Sequence, residues 1–258
     1  MIDRLTKPTA SRHRWLGPAL IAMLVAGGAA VAFAATNKTT PVAADRAAIE
    51  AVVRDYILAH PEIIPEAIKR LQAKEMAQKV AEHRAELETP YKGAWEGAAR
   101  PDVTLVAFMD YACGFCRSSL PDLARLVKED PGLRIVYREL PIIAEGSAGA
   151  ARVSLLAAED GKFMAFHKAM YAASDVEPAT VLKVASRVGL DTAKAQVALK
   201  SKAGDAPIVE NVRLAQALDA TGTPMFVVGD RVFTGAVGYE TLKAAIAEAR
   251  QRGVSDKG

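Results

Sequence analysis

The stretch VTLVAFMDYACGFCRSSLPDLARLV, residues 103–127, decides the fold. Its first part, VTLVAFMD (103–110), is an unbroken apolar run rather than an alternating one. A strand of that kind is covered on both faces, as in a parallel sheet. It feeds directly into Cys113-Gly114-Phe115-Cys116 and then into a segment with Leu120, Leu123, Leu126 and Val127 at helical spacing. LRIVYREL (133–140) supplies the next strand. Strand, helix, strand predicts a parallel pair joined by a right-handed crossover.

Outward from that unit, residues from about Ile143 to Ala220 read as a series of helices, among them SAGAARVSLLAAED, GKFMAFHKAMYAA and PATVLKVASRVGL. Two short strands follow, PMFVVG and RVFTG, with a turn at Gly229-Asp230, and a last helix runs from about Tyr239 to Arg250. The pattern is α/β, with a body over 103–252 and a helical subdomain inserted at about 143–204.

Ahead of the body, residues 35–88 read as a helical arm. DRAAIEAVVRDYILAH places Ile49, Val52, Val53, Tyr56 and Ile57 at helical spacing behind an Asp45 cap, and stops before Pro61. A second helical run from Pro61 carries Ile64, Ile68 and Leu71, then Val80 and Leu87, amid charge and alanine. So thin a stripe predicts either a solvated spacer or packing against copies of itself. Residues 89–102, with Gly and Pro, read as a linker.

The first 34 residues carry Arg4, Lys7, Arg12 and Arg14 against Asp3, which accounts for the whole formal charge of +3. The rest of the chain is balanced, so it offers no cationic surface for nucleic acid. The uncharged run from Trp15 to Asn37 closes on Ala32-Phe33-Ala34 and reads as a signal peptide, 1–34, with an uncleaved membrane anchor as the alternative. Either way the body is exported; in a bacterium that places it in the periplasm, where a thiol pair can persist as a disulfide.

Cys113 and Cys116 are the only cysteines in 258 residues. As a structural staple the pair would close a loop of two residues and remove little chain entropy. A zinc site needs about four ligands, and His13, His60, His83 and His167 form no companion motif. Copper(I) could be held by two thiolates. The redox reading fits the context better. A C-x-x-C where a buried strand turns into a helix sets Cys113 over unsatisfied amide N–H groups that favour the thiolate. Cys116, one turn on, can then resolve a mixed disulfide formed at Cys113.

DYACGFC, the helical insert and the late TGTPMFVVGD together resemble DsbA-like proteins of the thioredoxin fold. The resemblance implies a cis peptide at Thr223-Pro224 beside the cysteines, offering backbone groups to an extended client strand; by base rate alone this bond would be trans. VVRDYILAHPEIIPEAIKRLQ resembles the N-terminal segment of ScsC-type proteins, the suppressor-of-copper-sensitivity group. That likeness implies a homotrimer held through residues 45–88, acting as a disulfide isomerase or reductase on unfolded or mis-oxidised exported proteins. It also implies a membrane thiol reductase of the DsbD/ScsB type as partner, and neither metal nor cofactor. Gly114-Phe115 supplies no imidazole to stabilise the reduced thiolate, so the pair is expected to be less oxidising than that of DsbA. A monomeric DsbA-like oxidase and a copper(I)-binding protein are the alternatives.

One departure stands out. Relatives commonly hold a buried acid six residues before the first cysteine, where this chain has Ala107. Asp110 is expected on the other face of the strand and so is a poor substitute. His167 is expected to pack within a helix bundle, Arg117 to be a solvated helix residue, and Tyr111 and Phe115 to be core or an apolar lip. RELPI (138–142) is expected to end a strand and is assigned no chemistry.

Overall fold

A computed structural model describes residues 41–255. The expected signal peptide, 1–34, lies outside the described residues. The chain divides into two compact units, up to Ile64 and from Pro65 onward. The first contains helix α1 (Pro41–Ala59), which begins ahead of Asp45, so this residue lies inside the helix rather than capping it. Ile49, Val52, Val53 and Tyr56 are all exposed on α1. Helix α2 spans Ile63–Glu88.

The second unit is built on a five-stranded sheet of β1 (Trp95–Gly97), β2 (Val103–Met109), β3 (Leu133–Glu139), β4 (Met225–Val228) and β5 (Arg231–Thr234). Their order is β1-β3-β2-β4-β5. β2 and β3 are parallel, with Val103 opposite Leu133, joined by α3 (Gly114–Glu129), and the other pairings are antiparallel. The insert comprises α4 (Ser147–Glu159), α5 (Phe163–Tyr171), α6 (Pro178–Arg187) and α7 (Thr192–Lys200). After α8 (Ala206–Ala217) come β4 and β5, with Gly229 at φ +56° in their turn, and α9 (Tyr239–Ser255) closes the fold.

β2 is central and buried on both faces, which is why its sequence runs apolar without alternation. Leu105, Ala107 and Met109 join Leu133, Ile135, Phe226 and Val228 under α3, the insert and α9. Val106 and Phe108 join Met225, Val227, Leu214 and Leu218 on the opposite face.

That second face corrects two expectations. Val80 and Leu87 of α2 are each 1% exposed and complete it, with Met76 alongside. The last turns of α2 are thus part of the folded body, neither spacer nor free surface. The stripe is thin, but polar anchors hold it. The guanidinium of Arg138 donates to the carbonyls of Glu86, Leu87 and Thr89, taking up acceptors that a helix end leaves unpaired. Arg84 donates to Gly229 O and pairs with Asp230, and Lys79 lies 2.5 Å from Asp219. Burial lowers the pKa of Arg138 to about 10. By contrast Ile64, Ile68 and Leu71 are exposed. The expected linker, 89–102, carries β1, whose Trp95 stands opposite Val136 of β3. Gly97 there has φ +94°, and a Cβ would strike the carbonyl of Leu133.

Candidate active site

Cys113 is the N-cap of α3, with extended backbone angles (φ −82°, ψ 117°), so the chain turns from β2 into the helix at this sulfur. The amide of Cys116 donates to Cys113 Sγ at 3.3 Å. Cys113 Sγ donates to the carbonyl of Thr223 at 3.2 Å, from a residue 110 positions away. The Thr223–Pro224 peptide is cis, and Pro224 O accepts from Gly235 N at 2.8 Å, tying that loop to the end of β5. The four residues singled out from the sequence, Cys113, Cys116, Thr223 and Pro224, therefore share one site. Both cysteines are free thiols.

The two sulfurs differ in setting. Cys113 is 5% exposed at the helix mouth, whereas Cys116 is fully buried one turn deeper. Loss of solvation pushes the Cys116 thiol well above its ordinary value, only partly offset by the backbone of Asp110. Phe115 is 70% exposed beside this opening, and Tyr111 is core. The apolar lip is thus Phe115 alone. Arg117 reaches Ala173 O at 3.1 Å, fastening α3 to the end of α5 beside Cys116 rather than to a thiol.

Ala107 is fully buried in β2 opposite Phe226. Asp110 is buried as well, and its carboxylate is spent on the loop after β3. It accepts from Ala112 N (2.8 Å), Ile142 N (2.7 Å), Ile143 N (2.8 Å) and Ser147 Oγ (2.7 Å).

Sequence reasoning missed the group behind the cysteines. Glu139, at the end of β3, is 5% exposed, and burial pushes its carboxyl up to about 8. It accepts from Tyr111 Oη at 2.9 Å and Ser154 Oγ at 2.7 Å, and Tyr111 Oη lies 3.1 Å from His167 Nδ1. His167 is stacked on Phe163, 5.1 Å between ring centres, and burial holds its pKa down to about 3, so it is neutral. It packs inside the bundle, as expected. The signal available in the sequence was an acid closing the strand LRIVYRE, 133–139.

Among the described residues no group of three or more His, Cys, Asp or Glu could hold a metal ion. Among the same residues no helix is long and apolar enough to cross a membrane.

The comparisons agree with this geometry. The DSBA-like thioredoxin domain family matches residues 104–247, and the copper resistance protein ScsC N-terminal domain matches residues 45–78. A thioredoxin-like oxidoreductase from Silicibacter pomeroyi is 41% identical, covering 61% of this chain and 91% of its own, with a TM-score of 0.58. A linker-deletion mutant of Proteus mirabilis ScsC is 25% identical, covering 83% and 99%, at 0.63. A periplasmic thioredoxin-like protein from Salmonella enterica is 26% identical, covering 65% and 95%, at 0.58. Among curated proteins, the Na(+)/H(+) antiporter NhaA 3 of Salinispora tropica is 31% identical over 156 residues, 59% of this chain. The chain spans only 24% of that relative's length. With the cysteine pair at the mouth of α3, the cis Thr223–Pro224 loop against it and a family match over more than half its length, the chain belongs to the DsbA-like thioredoxin-domain family, with an ScsC-type segment ahead of that domain.

Proposed function

We propose that this protein is a periplasmic thiol-disulfide oxidoreductase, working as an isomerase or reductase on misfolded exported proteins. The observation that carries the reading is the position of Cys113: helix N-cap, a backbone N–H on its sulfur, and the carbonyl of Thr223 in contact. In thiol-disulfide exchange the attacking species is the thiolate of this cysteine. That thiolate attacks a client disulfide, forming the Cys113–client bond and releasing one client thiolate. The client then either shuffles to a better pairing, or Cys116 attacks Cys113 Sγ and expels it reduced. The backbone of Thr223 and Pro224 lies where an extended client segment can pair with it. A buried Cys116 with a raised pKa resolves slowly, which prolongs the mixed disulfide and suits shuffling over net reduction of the client.

Assembly follows from the arm. Large apolar side chains left exposed on α1 and the start of α2 support self-association through residues 45–88, as a homotrimer. A membrane thiol reductase of the DsbD/ScsB type would return the pair to the dithiol state. A copper(I)-binding role is the second reading, favoured by the copper-resistance description of the matched N-terminal segment and by two soft sulfurs at one site.

Recovery of activity from scrambled ribonuclease, measured beside oxidation of reduced ribonuclease, tests the first reading. Unscrambling that disappears in Cys113→Ser supports it; strong oxidation without unscrambling rejects it in favour of an oxidase. Copper(I) competition that shows no more than ordinary dithiol affinity rejects the second.

A further inference from the structure

Resolution by Cys116 requires its thiol to lose a proton in a site where burial holds that proton firmly. Ala107, buried in the strand ahead of the pair, offers only a methyl, and the carboxylate of Asp110 is occupied by four hydrogen bonds, from Ala112 N, Ile142 N, Ile143 N and Ser147 Oγ. One other buried acid lies behind the pair. We propose that Glu139 accepts the proton that Cys116 gives up during resolution, with the hydroxyls of Tyr171 and Tyr111 as the path between them; the inference rests on the redox reading above.

The path is drawn by packing. Arg117, next to Cys116, donates to Ala173 O and so holds the end of α5, with Tyr171, against the start of α3. The ring of Tyr171 lies on that of Tyr111, with centres 4.8 Å apart. The Tyr171 hydroxyl is buried and is the one group of this cluster's tyrosines with no hydrogen-bond partner. Cys116, Tyr111, Glu139 and Asp110 all lie near enough for a charge on any of them to act on it. Tyr111 Oη in turn donates to Glu139 at 2.9 Å. An unpaired buried hydroxyl is a cost that a purely structural site avoids, whereas a proton path needs a partner free to turn toward each neighbour.

The chemistry balances without a further reagent. In the mixed disulfide, Cys116 S–H passes its proton by way of the hydroxyls to the Glu139 carboxylate. The Cys116 sulfur forms a bond to Cys113 Sγ, and the Cys113–client bond breaks with its electron pair leaving on the client sulfur. The pair is oxidised and the client reduced, and the protonated Glu139 is deprotonated by solvent as the site opens. Glu139 is faced by Tyr111 and Asp110 from the loop after β2, Ser154 from α4 and Tyr171 from α5; His167 meets it only through Tyr111 Oη, and Asn211 of α8 donates to its backbone carbonyl. Because its pKa is near 8, its acceptor form grows as pH rises through that value.

The test uses the reduced full chain and one equivalent of 5,5′-dithiobis(2-nitrobenzoate). Attack by Cys113 releases one thionitrobenzoate and resolution by Cys116 releases the second, so the two steps are timed separately. In the natural chain the second release should speed up with pH, reach half its limit near pH 8 and level off above it. Tyr171→Phe removes only an unpaired hydroxyl and leaves the packing intact. It should leave the first release unchanged and slow the second by roughly tenfold or more. Glu139→Gln should slow it likewise and abolish the inflection near pH 8. A second release within twofold of the natural rate in Tyr171→Phe, with the same pH profile in Glu139→Gln, overturns the relay alone. Absence of a rapid first release overturns the redox reading, and the relay with it.

Discussion

A carboxyl buried at the end of β3 makes stability fall with pH, and the effect can be read from one substitution. Glu139 has a folded-state pKa of about 8 against an ordinary 4.5. Between those values the folded chain holds a proton that the unfolded chain has lost, so stability declines as pH rises, by about 1.4 kcal/mol per unit. From pH 6.5 to 8 the span is about 1.5 units, less about 0.3 unit returned by half-titration at pH 8. The loss is therefore about 1.6 kcal/mol in that window. Glu139→Gln holds a neutral group of the same shape and escapes it. At pH 8 it gains roughly 4 kcal/mol from the missing ionisation, minus roughly 1–3 for amide hydrogens facing the Tyr111 and Ser154 hydroxyls. The net gain is about 1–3 kcal/mol. Urea unfolding at pH 6.5, 7.2 and 8, in a Cys113→Ser/Cys116→Ser background so that no thiol titrates, measures it. Taking the difference between the two chains cancels His167 and every other shared group. Parallel stability profiles would refute the argument, because they would mean that Glu139 ionises in the folded chain as it does in the unfolded one. Burial at this position thus lowers stability while supplying a carboxyl that exchanges a proton near neutrality.

Other expectations follow from the same structure. Leu87→Ala should cost about 2–4 kcal/mol in chemical unfolding, because Leu87 fills the second face of the sheet; a loss below about 0.5 kcal/mol would show that α2 is not part of the folded body. His167 has its pKa held at about 3, so the folded chain binds fewer protons than the unfolded one below the ordinary value of 6.5 and loses stability as pH falls from 6.5 towards 3. His167→Phe should remove about 2 kcal/mol of that loss at pH 5, read as a flatter acid limb in thermal melts, and an unchanged limb would contradict the assignment. Ile49→Glu with Val53→Glu places charge on the exposed face of α1 and should reduce the mass seen by light scattering to that of one chain; a natural chain already monomeric would dismiss assembly through the arm.

The legible part of the fold was local. The apolar run of β2 needs cover on both faces, and its junction with C-G-F-C and a helical period specifies strand, turn and helix without reference to anything distant. The same period-based reading failed at 89–102, because β1 is only three residues long and owes its existence to pairing with β3. It also failed at the end of α2, where Val80 and Leu87 look like a thin stripe until Arg138, about fifty positions on, is seen to cap the helix.

The sequence by itself determined that two thiols sit at a strand-to-helix turn, because that depends on neighbours a few residues away and on backbone amides every helix start provides. Only the tertiary structure decided what surrounds them. Thr223 meets Cys113 across 110 positions, and Glu139, Ser154, His167 and the two tyrosines converge from β3, α4, α5 and the loop after β2. Burial and hydrogen bonding between distant segments set the ionisation of Glu139, and neither quantity has a period that a linear chain can display.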